Sequence, residues 1–190
     1  FNCCKNSKAH LAFQLMAGLG LRVGEVVNLR IDDINFHKNT IRIETEKAKT
    51  IDFMHLHVRV RKLLHSWVQK FQNRILANNG YILFSDNKLK ANQSQLHISP
   101  HWLRNEFRSI CFLAGLNENY GISDETRKGK RQRKLYRLTT HSLRHYFITK
   151  VYKNCKNPLH TQKLARHQDF KSTQNYIHIN QEEVDKVLKI

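Results

Sequence analysis

Four short stretches carry groups suited to chemistry at phosphorus. They read Thr-His-Ser-Leu-Arg-His at 140–145, Leu-Ala-Arg-His at 164–167, Gln-Asn-Tyr at 174–176 and Leu-Arg-Val-Gly-Glu-Val-Val-Asn-Leu at 21–29. On a helix His141 and Arg144, three apart, share a face. Thr140 is the expected N-cap, and a helix start aims free N–H groups at an anion. His167 and Tyr176 follow on the next two short elements. A phosphodiester set among them meets a cation, two imidazoles and a phenol. Arg22 supplies a second guanidinium, a planar fork that matches phosphate geometry. Glu25, three residues on, is placed to orient it. Taken singly, Tyr176 reads as a packed aromatic, His167 as a satisfied core histidine and Arg22 as a surface arginine. The joint spacing argues for a site. His141 and His145 have metal-ligand spacing, but the glutamate of a His-Glu-x-x-His motif and a nearby cysteine pair are both missing. No metal and no cofactor are therefore expected.

Leu21-Arg22-x-x-Glu25-x-x-x-Leu29, His141-x-x-Arg144, Leu164-x-x-His167 and Tyr176-Ile-His resemble the tyrosine recombinase (phage integrase) family in order and gaps. His141 and His167 are 26 residues apart, and His167 and Tyr176 nine. The resemblance runs from about residue 8 to about 180. It implies a 3′-phosphotyrosyl intermediate with Tyr176 as nucleophile, Arg22 and Arg144 on the non-bridging oxygens, His141 as proton acceptor or phosphate ligand, and His167 as donor to the phosphate. It also implies a lysine on a β-hairpin that protonates the leaving 5′-oxygen. Lys47 is preferred to Lys49, although the glycine-rich pattern around the family's lysine is missing here. The partners implied are double-stranded DNA and further copies of the chain, as a tetramer on DNA.

Composition agrees. At 190 residues the chain is one domain, with 33 Lys and Arg against 15 acids and a net charge of +18. Such a field fits a polyanion. No long apolar run argues for a membrane. Cys3, Cys4, Cys111 and Cys155 form no C-x-x-C pair, so a reducing, intracellular, DNA-associated location is expected. The chain starts with Phe and reads as a fragment or processed product. The division expected is a catalytic domain over 1–180 and a tail over 181–190 that meets its own core or a neighbouring protomer. The family's N-terminal core-binding domain is expected to lie outside this stretch.

Periodicity gives the positioning elements. A helix over 8–19, with Ser7 as N-cap, ends at Gly18 and Gly20; a short one follows over 23–29. Ile31, Ile34 and Phe36, then Ile41 and Ile43, then Ile51, Phe53 and Leu56 mark three antiparallel strands. A basic amphipathic helix or helix pair covers 57–78. Residues 81–84 are apolar but too brief to type. Ser99-Pro100 opens a helix that Gly115 ends. Over 127–137, seven of eleven positions are basic (Arg127, Lys128, Lys130, Arg131, Arg133, Lys134 and Arg137). This run reads as a flexible arm on DNA phosphates, against the bland alternative of a solvated loop. Helices over 141–153 and 159–165 follow, then a last helix capped by Ser172 or Thr173 and carrying Tyr176. The expected class is α+β, mainly helical with a small three-stranded antiparallel sheet. The expected function is site-specific recombination by a viral or plasmid integrase. A Xer-like chromosome or plasmid dimer resolvase, a topoisomerase of related chemistry and a truncated DNA-binding module are the alternatives.

Overall fold

The computed structural model describes residues 4–45, 50–86, 96–122, 134–174 and 176. At its centre lies α1 (Ser7–Leu19), which buries Leu11, Phe13, Leu15, Met16 and Leu19 among others. Its N-cap is Asn6 rather than Ser7: the Asn6 Oδ1 accepts from Lys8 N and Ala9 N at 3.0 and 3.2 Å. Asn6 reaches two of the orphan donors of the first turn, which places Ser7 inside the helix. Gly20 closes α1 at φ 64°, and a Cβ there would lie 2.3 Å from the Phe147 ring. Only glycine allows both the left-handed turn and this approach. Helix α2 (Val23–Asn28) then begins with Arg22 at its N-cap and buries Glu25, Val26 and Val27.

Strands β1 (Ile34–Asn35), β2 (Thr40–Thr45) and β3 (Thr50–His55) form an antiparallel sheet in the order β1-β2-β3. Ile31 lies in a short 3-10 turn before β1. Strand β3 buries little of the apolar content that marked it. Ile41 pairs with Met54, both buried, whereas Ile51 and Phe53 are 51% and 71% exposed. Strand period is two, so Met54 on the core face sends Ile51 and Phe53 to the other.

Helix α3 (Val58–Leu76) buries Val60, Leu64, Trp67 and Ile75, with non-helical φ/ψ at Phe71. Residues 82–84, Ile-Leu-Phe, are fully buried, and the Trp67 Nε1–H donates to the Ile82 carbonyl at 3.0 Å. Helix α4 (Pro100–Leu113) opens with Ser99 Oγ accepting from Trp102 N at 3.1 Å. The stretch read as a loop or arm, 127–137, contributes a strand near its end to a second, two-stranded sheet: β5 (Lys134–Tyr136) pairs with β4 (Asn119–Ile122). Residues 123–133 lie outside the described residues.

Helix α5 (Thr140–Cys155) has Thr139, not Thr140, as N-cap, with Thr139 N–H donating to Ser142 Oγ at 3.1 Å. Helix α6 (Pro158–Ala165) is capped by Asn157, whose Oδ1 accepts from Leu159 N and His160 N. The last described helix, α7 (Lys171–Gln174), has only four residues. Asp169 Oδ1 accepts from Lys171 N at 3.0 Å, so neither Ser172 nor Thr173 caps it. Tyr176 follows in a turn. The main core unites α1–α4 and the three-stranded sheet; a small cluster holds Ile148, Ala165 and Tyr176, and Phe147 packs against both. The fold is thus α+β and mainly helical. No described helix is long and apolar enough to cross a membrane.

Candidate active site

Arg144 is 1% exposed, although it carries a charge. Its Nη1 donates to the Gly20 carbonyl at 2.5 Å and its Nη2 to the Ala165 carbonyl, so it ties the end of α1 to the end of α6. Burial, with Arg22 and Arg166 nearby, pushes its pKa down to about 10, which leaves it charged at neutral pH. A guanidinium has five N–H donors, so two main-chain bonds orient the fork without exhausting it.

Arg22 is held from the other side. Its Nη1 meets Glu25 Oε1 at 2.8 Å, and its backbone N–H meets Oε2 at 2.7 Å. Its side chain remains 40% exposed while that of Glu25 is 4% exposed. Burial pushes the Glu25 carboxyl up, but Arg166 and the hydrogen bonds from Arg22 outweigh it and leave the pKa below the usual value. Glu25 is therefore an anion that aims a cation.

Arg22, His141 and Arg144 line one cleft of about 1140 Å³. Arg22 also lines a second cleft together with His167. The His167 Nδ1 lies 2.9 Å from the hydroxyl of fully buried Thr173. Partial burial, Arg144 and Arg22 push its pKa down to about 4, so its ring is neutral near pH 7. His141 is lowered by partial burial, His145, Arg144 and Arg22. The Tyr176 ring is buried 6.1 Å from the His167 ring, between centroids. Its Oη lies 2.6 Å from His145 Nδ1, and the His145 and His141 rings meet edge to face at 4.7 Å. Burial raises the Tyr176 hydroxyl pKa more than Arg144 lowers it.

Four of the six residues singled out as catalytic in the sequence, Arg22, His141, Arg144 and His167, thus line two adjoining clefts, and Tyr176 lies beside the His145 and His167 rings. Lys47, with Lys49, lies outside the described residues, as do Arg127, Lys128, Lys130, Arg131 and Arg133. Lys134 is exposed on β5 and lines the larger cleft; Arg137 is exposed just after β5.

The sequence matches the Phage integrase family over residues 2–183. The chain belongs to the phage integrase family. A tyrosine recombinase of Pseudothermotoga lettingae is 25% identical over 190 residues, covering 98% of this chain and 55% of that protein. Tyrosine recombinase XerD of Lacticaseibacillus casei is 28% identical over 170 residues, covering 88% and 49%. Among solved structures, a XerA recombinase has a TM-score of 0.69 at 21% identity, over 99% of this chain and 58% of that one. The Tn1549 transposon integrase in complex with transposon right end DNA has a TM-score of 0.65 at 16% identity, over 96% and 58%. These likenesses show the fold. The chain spans about half the length of the relatives it matches.

Three features of this integrase-family chain escaped the sequence reading. His145 was weighed only as a metal ligand, yet it touches the Tyr176 oxygen; its place four residues after His141 is the signal that both share a helix face. Arg166 sits inside the Leu164–His167 motif, where its neighbours drew the reading. Arg104 and Arg108 on α4 line the larger cleft with His101. Their spacing of three and four marks one basic helix face.

Proposed function

We propose that the chain is the catalytic domain of a site-specific DNA recombinase of the integrase type, acting through a 3′-phosphotyrosyl intermediate. The observation that carries this reading is the convergence of Arg22, Arg144, His141 and His167 on two adjoining clefts beside a tyrosine whose oxygen is already hydrogen-bonded to an imidazole. The Tyr176 Oη attacks the phosphorus, the bond from phosphorus to the 5′-oxygen breaks, and the phosphate stays ester-linked to the 3′ side and to the tyrosine. One ester replaces another, so no nucleotide is consumed. The tyrosine proton passes to His145 Nδ1, nearer than any role given to His141 requires. His141 is then free to serve as a phosphate ligand. Arg22 and Arg144 meet the charge that grows on the non-bridging oxygens. Thr173 fixes the His167 tautomer: a hydroxyl donating to Nδ1 leaves Nε2–H to donate to the phosphate from a neutral ring. Lys47 remains the proposed donor to the departing 5′-oxygen. Lys49, Lys134, Arg137 and the basic residues of 127–133 hold the duplex, on which four copies assemble.

Integration or excision of a mobile element is the proposed role. The basic insert supports it, as does the likeness to the Tn1549 transposon integrase. A second reading, dimer resolution of the Xer kind, is favoured by relatives named XerA, XerD and XerC. Sequencing the DNA trapped covalently on the protein separates the two, since an element end supports the first and a replicon resolution site the second. An intracellular, DNA-associated location belongs to either.

The decisive experiment uses a nicked suicide duplex. Wild type should form a covalent DNA adduct that maps to Tyr176, and Tyr176→Phe should form none while retaining fold and DNA affinity. Removing one oxygen leaves the ring in the Ile148–Ala165 cluster, so packing barely changes. An adduct on another residue, or one that survives the substitution, overturns the mechanism. DNA binding without any wild-type adduct favours the binding-module alternative.

A further inference from the structure

Arg166 is an unusual residue for its place. It follows α6 as its C-cap at φ 54° and ψ 48°, the left-handed region that favours glycine. Its side chain does not leave for solvent, as that of a basic residue at a helix end ordinarily does. It turns inward and is 4% exposed. Its Nη2 donates to Glu25 Oε2 at 2.8 Å, its Nη1 contacts Met54 Sδ at 3.0 Å, and its Nε is buried with no hydrogen-bond partner. Three segments distant in sequence meet at this one group: the start of α2, strand β3 and the end of α6.

The carboxylate it reaches is the one that aims Arg22. Glu25 accepts from Arg22 Nη1 with Oε1 and from Arg22 N with Oε2, and Thr45 Oγ1 lies 3.3 Å from Oε1. A carboxylate buried this deeply is stable as an anion only when paired. With a single guanidinium it would be torn between two demands, neutralising its own charge and presenting Arg22 to the cleft. A second, buried guanidinium removes that conflict.

We infer that Arg166 is a positioning residue, which holds the Glu25 carboxylate ionised and in place so that Glu25 directs Arg22 into the phosphate cleft. The inference rests on the proposed role of Arg22 as a phosphate ligand. Arg166 reaches the edge of the second cleft, but its side chain is only 4% exposed and its Nη2 is engaged by Glu25, so we assign it to Glu25 and not to a phosphate. The charged groups around Glu25 come from several elements: Arg22 before α2, Arg166 after α6, and Asp52 on β3, which interacts with Arg166. Arg104 and Asp169 line the cleft beside them.

The test is Arg166→Gly, which suits the left-handed backbone, alongside Arg166→Lys, which keeps a charge but not the fork. Two readouts are needed, both on the 190-residue chain. The first is the rate of adduct formation on the nicked suicide duplex across pH 5 to 8. In Arg166→Gly the rate at pH 7 should fall about tenfold or more with DNA affinity nearly unchanged, because the lost interaction acts on transition-state charge. The acid limb of its profile should also move to higher pH. Without Arg166 the Glu25 carboxyl protonates more readily, and a protonated Glu25 no longer aims Arg22. Arg166→Lys should restore part of both losses. The second readout is nuclear magnetic resonance of the Glu25 carboxyl titration and of the Arg22 Nε–H group, which needs no activity. In Arg166→Gly the Glu25 titration should rise and the Arg22 guanidinium should lose its order. If both signals are unchanged, the inference is overturned whatever the rates do. A loss of thermal stability with an unshifted pH profile overturns it too, since Arg166 would then be only a buried brace. If wild type forms no adduct, the recombinase reading fails, and the two resonance signals still decide whether Arg166 positions Arg22.

Discussion

Tyr176 is a weak nucleophile as it stands, since burial raises its hydroxyl pKa and Arg144 only partly offsets this. An imidazole nitrogen 2.6 Å from that oxygen is what such a group needs, and His145 supplies it. His167 shows how the same burial sets a protonation state. The folded chain holds its pKa near 4, whereas an unfolded chain binds that proton near pH 6.5. Between these values the unfolded state takes up a proton that the folded state refuses. Its contribution to stability is therefore complete above pH 6.5 and is lost as the pH falls through that window toward 4. In His167→Asn this part of the acid destabilisation should disappear. Urea midpoints of both proteins at pH 7 and pH 4.5 check it, and an identical drop in the two would refute the assignment. The residue types at 141, 144, 167 and 176 were legible because their gaps are regular. The partner of each side chain was not: Thr173 on His167 and His145 on Tyr176 depend on where a four-residue helix docks.

Two helix ends and one helix start form the frame of the site. The end of α1 contributes the Gly20 carbonyl, the end of α6 the Ala165 carbonyl, and Arg144 of α5 bonds both. Gly20→Ala should disturb this frame, because a methyl group there adopts a strained φ and strikes the Phe147 ring. The expected loss is about 2–4 kcal/mol from backbone strain plus overpacking, or a fall in Tm of roughly 5–12 °C. Calorimetry measures it; an unchanged Tm would mean that the α1–α5 crossing yields easily. Helices α1, α3, α4, α5 and α6 were legible from apolar spacing, with errors only in which of two adjacent polar residues caps an end. Strands β4 and β5 were not. Each is a few residues long, polar or charged in part, and bounded by a basic run, and their pairing is a long-range event that local pattern does not encode. Which face of β3 is buried was not legible, because Ile51 and Phe53 are apolar yet lie on the face opposite the buried Met54.

At the scale of the whole molecule, a net charge of +18 acts on any polyanion. If about 6 phosphates are neutralised, log K should fall with log salt at a slope near −5. Arg104 and Arg108, exposed on the wall of the larger cleft, should carry part of it. Replacing both with Ala should flatten the slope by about 2 if each meets a phosphate. A filter-binding titration at several salt concentrations measures this, and an unchanged slope would remove α4 from the DNA surface. The sequence by itself determined the helix-rich class and the net charge behind the proposed polyanion partner, and it nominated the candidate nucleophile. Charge is additive along the chain, helical periodicity is local, and the motif gaps survive without coordinates. Only the tertiary structure decided that Arg166 reaches Glu25 across 141 positions, that Arg144 is enclosed by main-chain carbonyls, and that α4 faces the cleft. Those facts arise where segments remote in sequence close on one another, and packing, not local pattern, chooses which side chains meet there.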